Sequence, residues 1–176
     1  IQIRLVGSEM CIRDRVDLSQ IDSEIIFEWS NLECPYVKRH YGSNNMQTTQ
    51  KFAKSKNVIW ITVISSAEGK QGYIQPNDAV NTFASFGSFP DHILIDENGD
   101  LGKKFNAKTT PHIFIADKNK NIVYQGAIDD AGGSRFWTTD LNQSTNFVKK
   151  VINDIKSNKP LSVSKTRPYG CSVKYG

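Results

Sequence analysis

Residues 29–38 constrain the fold of this chain more than any other stretch. They follow a short apolar run, residues 25–27, that predicts a buried strand. Pro35 lies where a helix would begin, because proline is well tolerated at the first helical position. Cys34 is therefore expected at a strand-to-helix junction, at or next to the N-cap of the helix.

A cysteine in that position has a chemical advantage. The unpaired backbone N–H groups and the positive end of the helix dipole favour a thiolate at a helix N-terminus. The alternative for Cys34 is a buried cysteine with a purely structural role. The Cys-Pro pair directly after a strand favours reactivity, so we expect Cys34 to be a nucleophile.

Composition narrows the classes of function. The 176 residues suffice for one domain with a proper core. The 22 basic and 18 acidic residues give a net charge of +4, with scattered lysines, which argues against a nucleic-acid partner. No apolar run approaches the length of a transmembrane segment. The cysteines form no C-x-x-C pair and the histidines share no ligand spacing, so we expect no metal and no cofactor.

The first fifteen residues look foreign to the rest of the chain. Residues 5–15 resemble a translated sequencing adapter, so residues 1–15 are expected to be artefactual or disordered, and 16–176 to form the domain. A short genuine N-terminal strand is the alternative. On this interpretation Cys11 is discounted and the native start is missing. The sequence then does not decide between a periplasmic and a cytoplasmic location.

Apolar patterns predict the remaining elements of one domain. A polar, glycine-containing loop, residues 65–73, follows the clearest strand. Ligand sites of open α/β sheets form at the carboxyl ends of strands, so this loop and Cys34 are expected to share a cleft, unless it is an ordinary flexible loop. The predicted strands are 24–29, 58–64, 92–96, 112–116 and 122–125, and the predicted helices begin after Cys34 and cover 45–54, 76–86, 101–105 and 141–157.

Several motifs together resemble a known superfamily. They lie at residues 28–29, 34–41, 65–73, 109–112, 126–130 and 170–175. As a set they are similar to the thioredoxin superfamily, and within it to the peroxiredoxin-like redoxin or alkyl hydroperoxide reductase/thiol-specific antioxidant branch. The resemblance implies a three-layer α/β fold in which a central mixed β-sheet is flanked by helices.

The resemblance also implies roles for individual residues. Cys34 corresponds to the nucleophile of the superfamily. Pro111 corresponds to its cis-proline, which packs against that cysteine and offers backbone to an extended substrate; the alternative is a proline that simply opens a strand. Glu28 corresponds to a buried acid that moves protons to and from the thiols, or else is a structural carboxylate. The expected substrate-binding residues are Trp29, Asn31, Thr110 and Pro111.

The sequence departs from the relatives at two positions. Val37 stands where thioredoxins carry their second cysteine, so no local disulfide can form. Asn31 stands where peroxiredoxins carry the threonine that orients the peroxide. Peroxiredoxins also use an arginine to polarise the peroxide, and no arginine of this sequence can be assigned as its counterpart.

The expected function is that of a thiol-dependent oxidoreductase or antioxidant. Cys34 would attack a disulfide or a peroxide, Cys171 would resolve the product, and an external thiol would restore the reduced protein. Alternatives for Cys171 are a permanent bridge to Cys34 or an inert thiol. Two other functions stay open: a one-cysteine peroxidase, and a non-catalytic thioredoxin-fold module that binds an extended peptide.

Overall fold

The computed structural model describes residues 2–6, 15–132 and 140–176 of the protein. Within them the chain forms nine strands and five α-helices. The strands are β1 Gln2–Val6, β2 Arg15–Asp17, β3 Ile25–Trp29, β4 Ile59–Ile64, β5 His92–Ile95, β6 Thr109–Thr110, β7 His112–Ala116, β8 Ile122–Gly126 and β9 Cys171–Ser172. The helices are α1 Pro35–Gly42, α2 Asn45–Ser55, α3 Ala79–Ser85, α4 Asp100–Phe105 and α5 Phe147–Lys156.

Seven strands form a mixed sheet in the order β2-β1-β5-β4-β3-β7-β8. The neighbours β3–β4 and β4–β5 run parallel, and the outer pairs run antiparallel. β3 and β4 therefore lie near the middle, where both faces are covered, and their continuous apolar sequences suit that position. The remaining strands, β6 and β9, pair separately with each other.

Alternate residues of β3 supply the two cores. Ile26 packs in the core shared with α1, α2, α3 and α5. Ile25, Phe27 and Trp29 point to the opposite face, into the core shared with α4. Helices therefore cover both faces of a mixed sheet, and this confirms the expected α/β class.

Two predicted helices start later than the sequence suggested. The pattern over residues 76–86 becomes a 3-10 turn, Pro76–Asp78, followed by α3. The pattern over residues 141–157 likewise begins with a 3-10 turn, Leu141–Gln143, and the α-helix α5 begins only at Phe147. The Oδ1 atom of Asn146 accepts a hydrogen bond from the Lys149 backbone N–H over 2.9 Å, so Asn146 caps the helix there.

The N-terminal segment contributes strands to the main sheet. Leu5 and Val6 of β1 pair antiparallel with Leu94 and Ile93 of β5, and β2 pairs with β1. The hypothesis that residues 1–15 are artefactual stays a prediction, because a foreign segment can also pair with an exposed sheet edge. Cys11 lies outside the described residues.

Across the described parts of the chain, every helix is too short or too polar to cross a membrane.

Candidate functional site

Cys34 lies at the junction between β3 and α1. It is the N-cap of α1, with φ −69° and ψ 126°, and Pro35 is the first helical residue, which confirms the sequence prediction. Its backbone N–H donates to the Asn31 carbonyl over 2.9 Å, which closes the turn that leads out of β3. The side chain has no exposed surface.

The Cys34 thiol contacts the segment that opens β7. Its Sγ atom donates to the Thr110 carbonyl oxygen over 3.1 Å. Thr110 and Pro111 are buried, and the peptide bond between them is cis. The chain folds in this way because β7 runs antiparallel beside β3, with His112 opposite Trp29, so the residues just before β7 meet those just after β3.

The second cysteine is brought to the same place by the C-terminal tail, residues 164–176. In the β6–β9 pair, Cys171 lies directly opposite Thr110. Cys34 and Cys171 are both free thiols. Burial raises the pKa of Cys171, and the neighbouring Cys34 raises it further.

Glycine at position 170 lets the tail lie this close. Gly170 has φ +146°, and a Cβ built on it would lie 2.1 Å from the Thr110 carbonyl oxygen. No other residue fits without moving the backbone. Further along, Val173 donates to the Lys108 carbonyl over 3.1 Å, and Lys174 accepts from the Ala67 N–H over 2.9 Å. The tail thus covers Cys34 as an added strand.

The start of the tail runs beside β8. Gln125 donates to the Ser164 carbonyl over 3.1 Å and accepts from the Thr166 N–H over 3.0 Å. The Thr166 hydroxyl also accepts from the Ala127 N–H over 2.9 Å and contacts the Tyr124 hydroxyl at 2.7 Å. No local sequence pattern indicated these contacts, because the tail has no apolar period and β9 is only two residues long.

Glu28 is completely buried on the Cys34 side of the sheet. Its carboxylate accepts hydrogen bonds from Tyr41 at 3.1 and 3.2 Å, Trp60 at 3.0 Å and Thr62 at 3.2 Å. Burial raises its pKa, and the hydrogen bonds oppose that rise. Among the described residues, its hydrogen-bond partners do not include a cysteine, so the predicted exchange of protons with the thiols would need an intermediary.

Asn31 ties the Cys34 turn to the loop at 65–73. Its Nδ2 atom donates to the Gln71 carbonyl over 3.1 Å, and its Oδ1 atom accepts from the Glu33 N–H over 2.9 Å. The Gly72 N–H donates to the Glu33 carboxylate over 3.1 Å. The loop is therefore a neighbour of the Cys34 turn, as the sequence indicated, but the Asn31 amide is occupied by backbone groups.

Trp29 lies on the other face of the sheet. It has no exposed surface, packs against Phe105 and Phe114, and donates to the Ser65 hydroxyl over 3.0 Å. The structure thus brings Cys34, Cys171, Thr110, Pro111 and Asn31 together, and leaves Trp29 on the far side of β3. A substrate contact by Trp29 stays a prediction, and nothing in its surroundings supports it.

Sequence reasoning missed one group of side chains near the site. His40, to which the sequence analysis assigned no role, lies in a buried polar cluster with Asp129 and Tyr169. The residues are too far apart in sequence for any local pattern to join them. The available signal was the family resemblance, whose motifs 34–41 and 126–130 contain His40 and Asp129 and whose motif 170–175 directly follows Tyr169.

No metal centre forms among the described histidine, cysteine, aspartate and glutamate side chains.

Comparisons with known proteins agree with this architecture. The chain is similar to an uncharacterized conserved protein from Geobacillus kaustophilus, with a TM-score of 0.80, 20% identity, and coverage of 99% of this chain and 88% of that one. A hypothetical protein from Sinorhizobium meliloti 1021 has a TM-score of 0.76, 15% identity, and coverage of 100% and 96%. A thioredoxin-like protein from Aeropyrum pernix has a TM-score of 0.53, 20% identity, and coverage of 71% and 80%.

These structural similarities, at low identity, show a shared thioredoxin-like fold. No curated protein has significant sequence similarity to the chain. The model of the Redoxin family matches residues 14–137. Because this match spans well over half of the sequence, the chain belongs to the redoxin family of the thioredoxin superfamily.

Proposed function

We propose that the protein is a thiol–disulfide oxidoreductase in which Cys34 is the nucleophile and Cys171 is the resolving cysteine. One observation carries the proposal: the β6–β9 pair holds Cys171 opposite Thr110, whose carbonyl accepts the hydrogen bond from the Cys34 thiol. Membership of the redoxin family supports thiol chemistry at this site.

The reaction follows from the two thiols. The Cys34 thiolate attacks one sulfur of a substrate disulfide, which forms a mixed disulfide and releases the first substrate thiolate. Cys171, as a thiolate, then attacks the Cys34 sulfur, which forms the Cys34–Cys171 disulfide and releases the second substrate thiolate. Two electrons pass from the protein to the substrate, and the two protons lost by the cysteines are taken up by the two released thiolates. An external dithiol or two monothiols reverse these steps on the protein.

The position of Cys34 suits a nucleophile. As the N-cap residue its sulfur lies at the positive end of α1, where a developing negative charge is stabilised. Burial and the neighbouring Cys34 raise the pKa of Cys171, so Cys171 is held in reserve as a thiol until Cys34 has entered the mixed disulfide.

Glu28 serves in this proposal as a buried acid that exchanges protons with the site through an intermediary. Its pKa is raised by burial, which favours exchange nearer to neutral pH than an exposed glutamate allows. It shares its side of the sheet with Cys34, since Tyr41 and Trp60, which hydrogen-bond it, pack in the same core as Cys34.

A disulfide is favoured over a peroxide as the oxidant because of Asn31. Asn31 is buried, and each polar atom of its amide already bonds a backbone group, Nδ2 the Gln71 carbonyl and Oδ1 the Glu33 N–H. These bonds hold the side chain in the turn, which disfavours the role that the threonine of peroxiredoxins has in orienting a peroxide.

Trapping the intermediates tests the proposal. Oxidised glutathione should convert the reduced protein to a Cys34–Cys171 disulfide, identified by peptide mass spectrometry. The Cys171→Ser variant should accumulate a Cys34–glutathione mixed disulfide, and Cys34→Ser should form neither product. If Cys171 never pairs with Cys34 under oxidation, the resolving role is wrong.

The two other functions give different results. A one-cysteine peroxidase would consume hydrogen peroxide in stopped-flow mixing much faster than free cysteine, with Cys171→Ser as active as the original protein. A non-catalytic peptide-binding module would keep its binding partner in the Cys34→Ser variant and would show no exchange above the rate of a free thiol.

A further inference from the structure

A buried polar cluster lies beside the redox site, and the proposed chemistry does not use it. Three of its members are His40 in α1, Asn45 at the start of α2, and Asp129 after β8. His40 has no exposed surface and Asp129 is 1% exposed. The fourth member is the hydroxyl of Tyr169, which comes from the tail. We call the other three residues the tyrosine seat, because they surround this hydroxyl.

The hydrogen bonds of the seat form a closed ring. The Nδ2 atom of Asn45 lies 2.9 Å from Nδ1 of His40 and 2.9 Å from Oδ2 of Asp129. Since an amide N–H only donates, His40 Nδ1 accepts, and the proton of the neutral ring is on Nε2. Nε2 lies 3.1 Å from the Tyr169 hydroxyl, which in turn donates to Oδ1 of Asp129.

The charges of the seat fit this arrangement. Burial lowers the pKa of His40 to about 4, despite the opposing effect of Asp129, so the ring is neutral at pH 7. The Asp129 carboxylate also accepts from the Ala131 N–H over 3.1 Å. When Tyr169 is in place, each polar atom of the ring has a partner of the right kind. Without it, the buried imidazole N–H loses its partner, and Oδ1 of Asp129 keeps only the Ala131 N–H, which is costly away from water.

The seat fixes the tail close to the reacting sulfurs. Tyr169 precedes Cys171 by two residues, and Gly170 between them is pressed against the Thr110 carbonyl. The Tyr169 ring also packs edge-on against Tyr36, with the ring centroids 6.1 Å apart. A tyrosine held at this point leaves Cys171 little freedom to move away from Cys34.

We propose that the tyrosine seat positions Cys171 over Cys34, with His40, Asn45 and Asp129 as positioning residues and Tyr169 as the anchor of the tail. The effect of the seat on resolution by Cys171 rests on the proposed function, whereas the shielding of Cys34 by the tail does not. An occupied seat raises the effective concentration of Cys171 at Cys34 and shields Cys34 from external reagents. An empty seat does the opposite.

The Tyr169→Phe variant tests the seat, because it removes the hydroxyl and keeps the ring. Alkylation of Cys34 by iodoacetamide in the reduced protein, followed by peptide mass spectrometry, should become about tenfold faster, the range expected when buried groups lose a partner. The equilibrium constant for forming the Cys34–Cys171 disulfide against glutathione should fall by about the same factor.

Tyr175→Phe is the matched control. Tyr175 lies in the same tail, on the other side of Cys171, and its hydroxyl donates to the Ala107 carbonyl over 2.8 Å. Its removal leaves the ring of His40, Asn45 and Asp129 intact. Both measurements should therefore change less than about threefold, as for the loss of one ordinary hydrogen bond.

The outcomes separate this proposal from the proposed function. Faster alkylation in Tyr169→Phe supports the seat even in a protein that forms no Cys34–Cys171 disulfide, and that lack of a disulfide would count only against the resolving role. Unchanged alkylation overturns the seat, even where the disulfide forms. Equal changes of the Cys34 alkylation rate in Tyr169→Phe and Tyr175→Phe also overturn it. So does a Tyr169→Phe variant that has a lower free energy of unfolding but an unchanged rate of Cys34 alkylation.

Discussion

The two thiols of the site are held in opposite ways. Cys34 follows β3, which pairs residue for residue with β4 on one side and β7 on the other. Cys171 lies in a two-residue strand that pairs only with Thr109 and Thr110. The first sulfur is therefore placed by the centre of the fold, and the second by a short strand outside the main sheet.

This difference has a chemical meaning. A nucleophile gains from a fixed environment, because the N-terminus of a helix stabilises negative charge only over a short range. In the proposed reaction, Cys171 has to give way to a substrate and then return. Stability in such a protein is expected to be uneven, with low opening free energies in the tail and high ones in the central strands.

The largest expected effect contrasts the core with the tail. Ile26→Ala, in the middle of β3, should lower the free energy of unfolding by about 2–5 kcal/mol, because it leaves a cavity in a fully buried position. Val173→Ala, in the half-buried tail, should cost less than about 1 kcal/mol. Urea unfolding followed by circular dichroism measures both. Similar losses would show that the tail is as integral to the domain as β3.

Gly170→Ala should break the tail contact alone. The new Cβ would collide with the Thr110 carbonyl, so the tail has to shift, and Cys34 alkylation should become at least about tenfold faster, as for a strained glycine position worth about 1–3 kcal/mol. Gly69→Ala is the control, because Gly69 also has a positive φ, +76°, but open space around it. If both variants alkylate at the original rate, the tail tolerates a larger residue and its close fit does not matter.

The Glu28→Gln variant tests whether the buried acid of the central sheet takes part in the exchange at the two thiols. The folded state raises the pKa of Glu28 above 4.5, so its contribution to stability is complete below that pH and is lost as the pH rises through the folded-state value. The Gln variant should therefore be as stable as the original protein, or more so, at pH 7. Disulfide exchange should slow by about tenfold, less than for an acid in direct contact with the reacting atoms. Unchanged rates between pH 5 and 8 would remove Glu28 from the mechanism.

The smallest effect expected is a pH dependence of the tail. His40 faces the Asp129 carboxylate, the Arg39 guanidinium and the Tyr169 phenol. The pKa of His40 is about 4 with the seat occupied and 6.5 when the ring is free in water. The folded state therefore resists a proton that the opened state accepts, and the seat weakens as the pH falls from 6.5 toward 4.

A ratio of rates isolates this effect. The rate of Cys34 modification by a methanethiosulfonate reagent in Tyr169→Phe, divided by that in the original protein, should fall severalfold over this range. The lowered pKa of His112, which is common to both proteins, cancels in the ratio. A constant ratio from pH 7 to pH 4 would contradict the prediction.

Local sequence was sufficient to predict the half of the site that contains Cys34. A run of apolar residues, a cysteine and a proline specify a strand, an N-cap and a helix within a dozen positions, and no distant contact is needed to place them. The strands β4 and β7 were predicted for the same reason. The late start of α5 was missed because the prediction began the helix at Leu141 and gave no weight to the polar residues 142–146, of which the last is the cap.

The half that contains Cys171 could not be predicted in this way. Two residues cannot show a period, so β9 left no pattern, and its pairing with β6 spans the last third of the chain. The contact between His40 and Tyr169 joins residues 129 positions apart. Only the family resemblance linked Gly170 and Cys171 to Cys34, and it did so without giving their geometry.

The contact between the tail and β8 has a consequence for the behaviour of the protein in concentrated solution. β8 ends the seven-stranded sheet, and residues 164–166 bond the outward backbone groups of Gln125. Ile122, at the beginning of β8, is 45% exposed. An open strand edge with apolar side chains is a template for pairing with another molecule. Proteolytic removal of the tail would therefore favour aggregation of the truncated chains through the β8 edge. The same cleavage would remove Cys171.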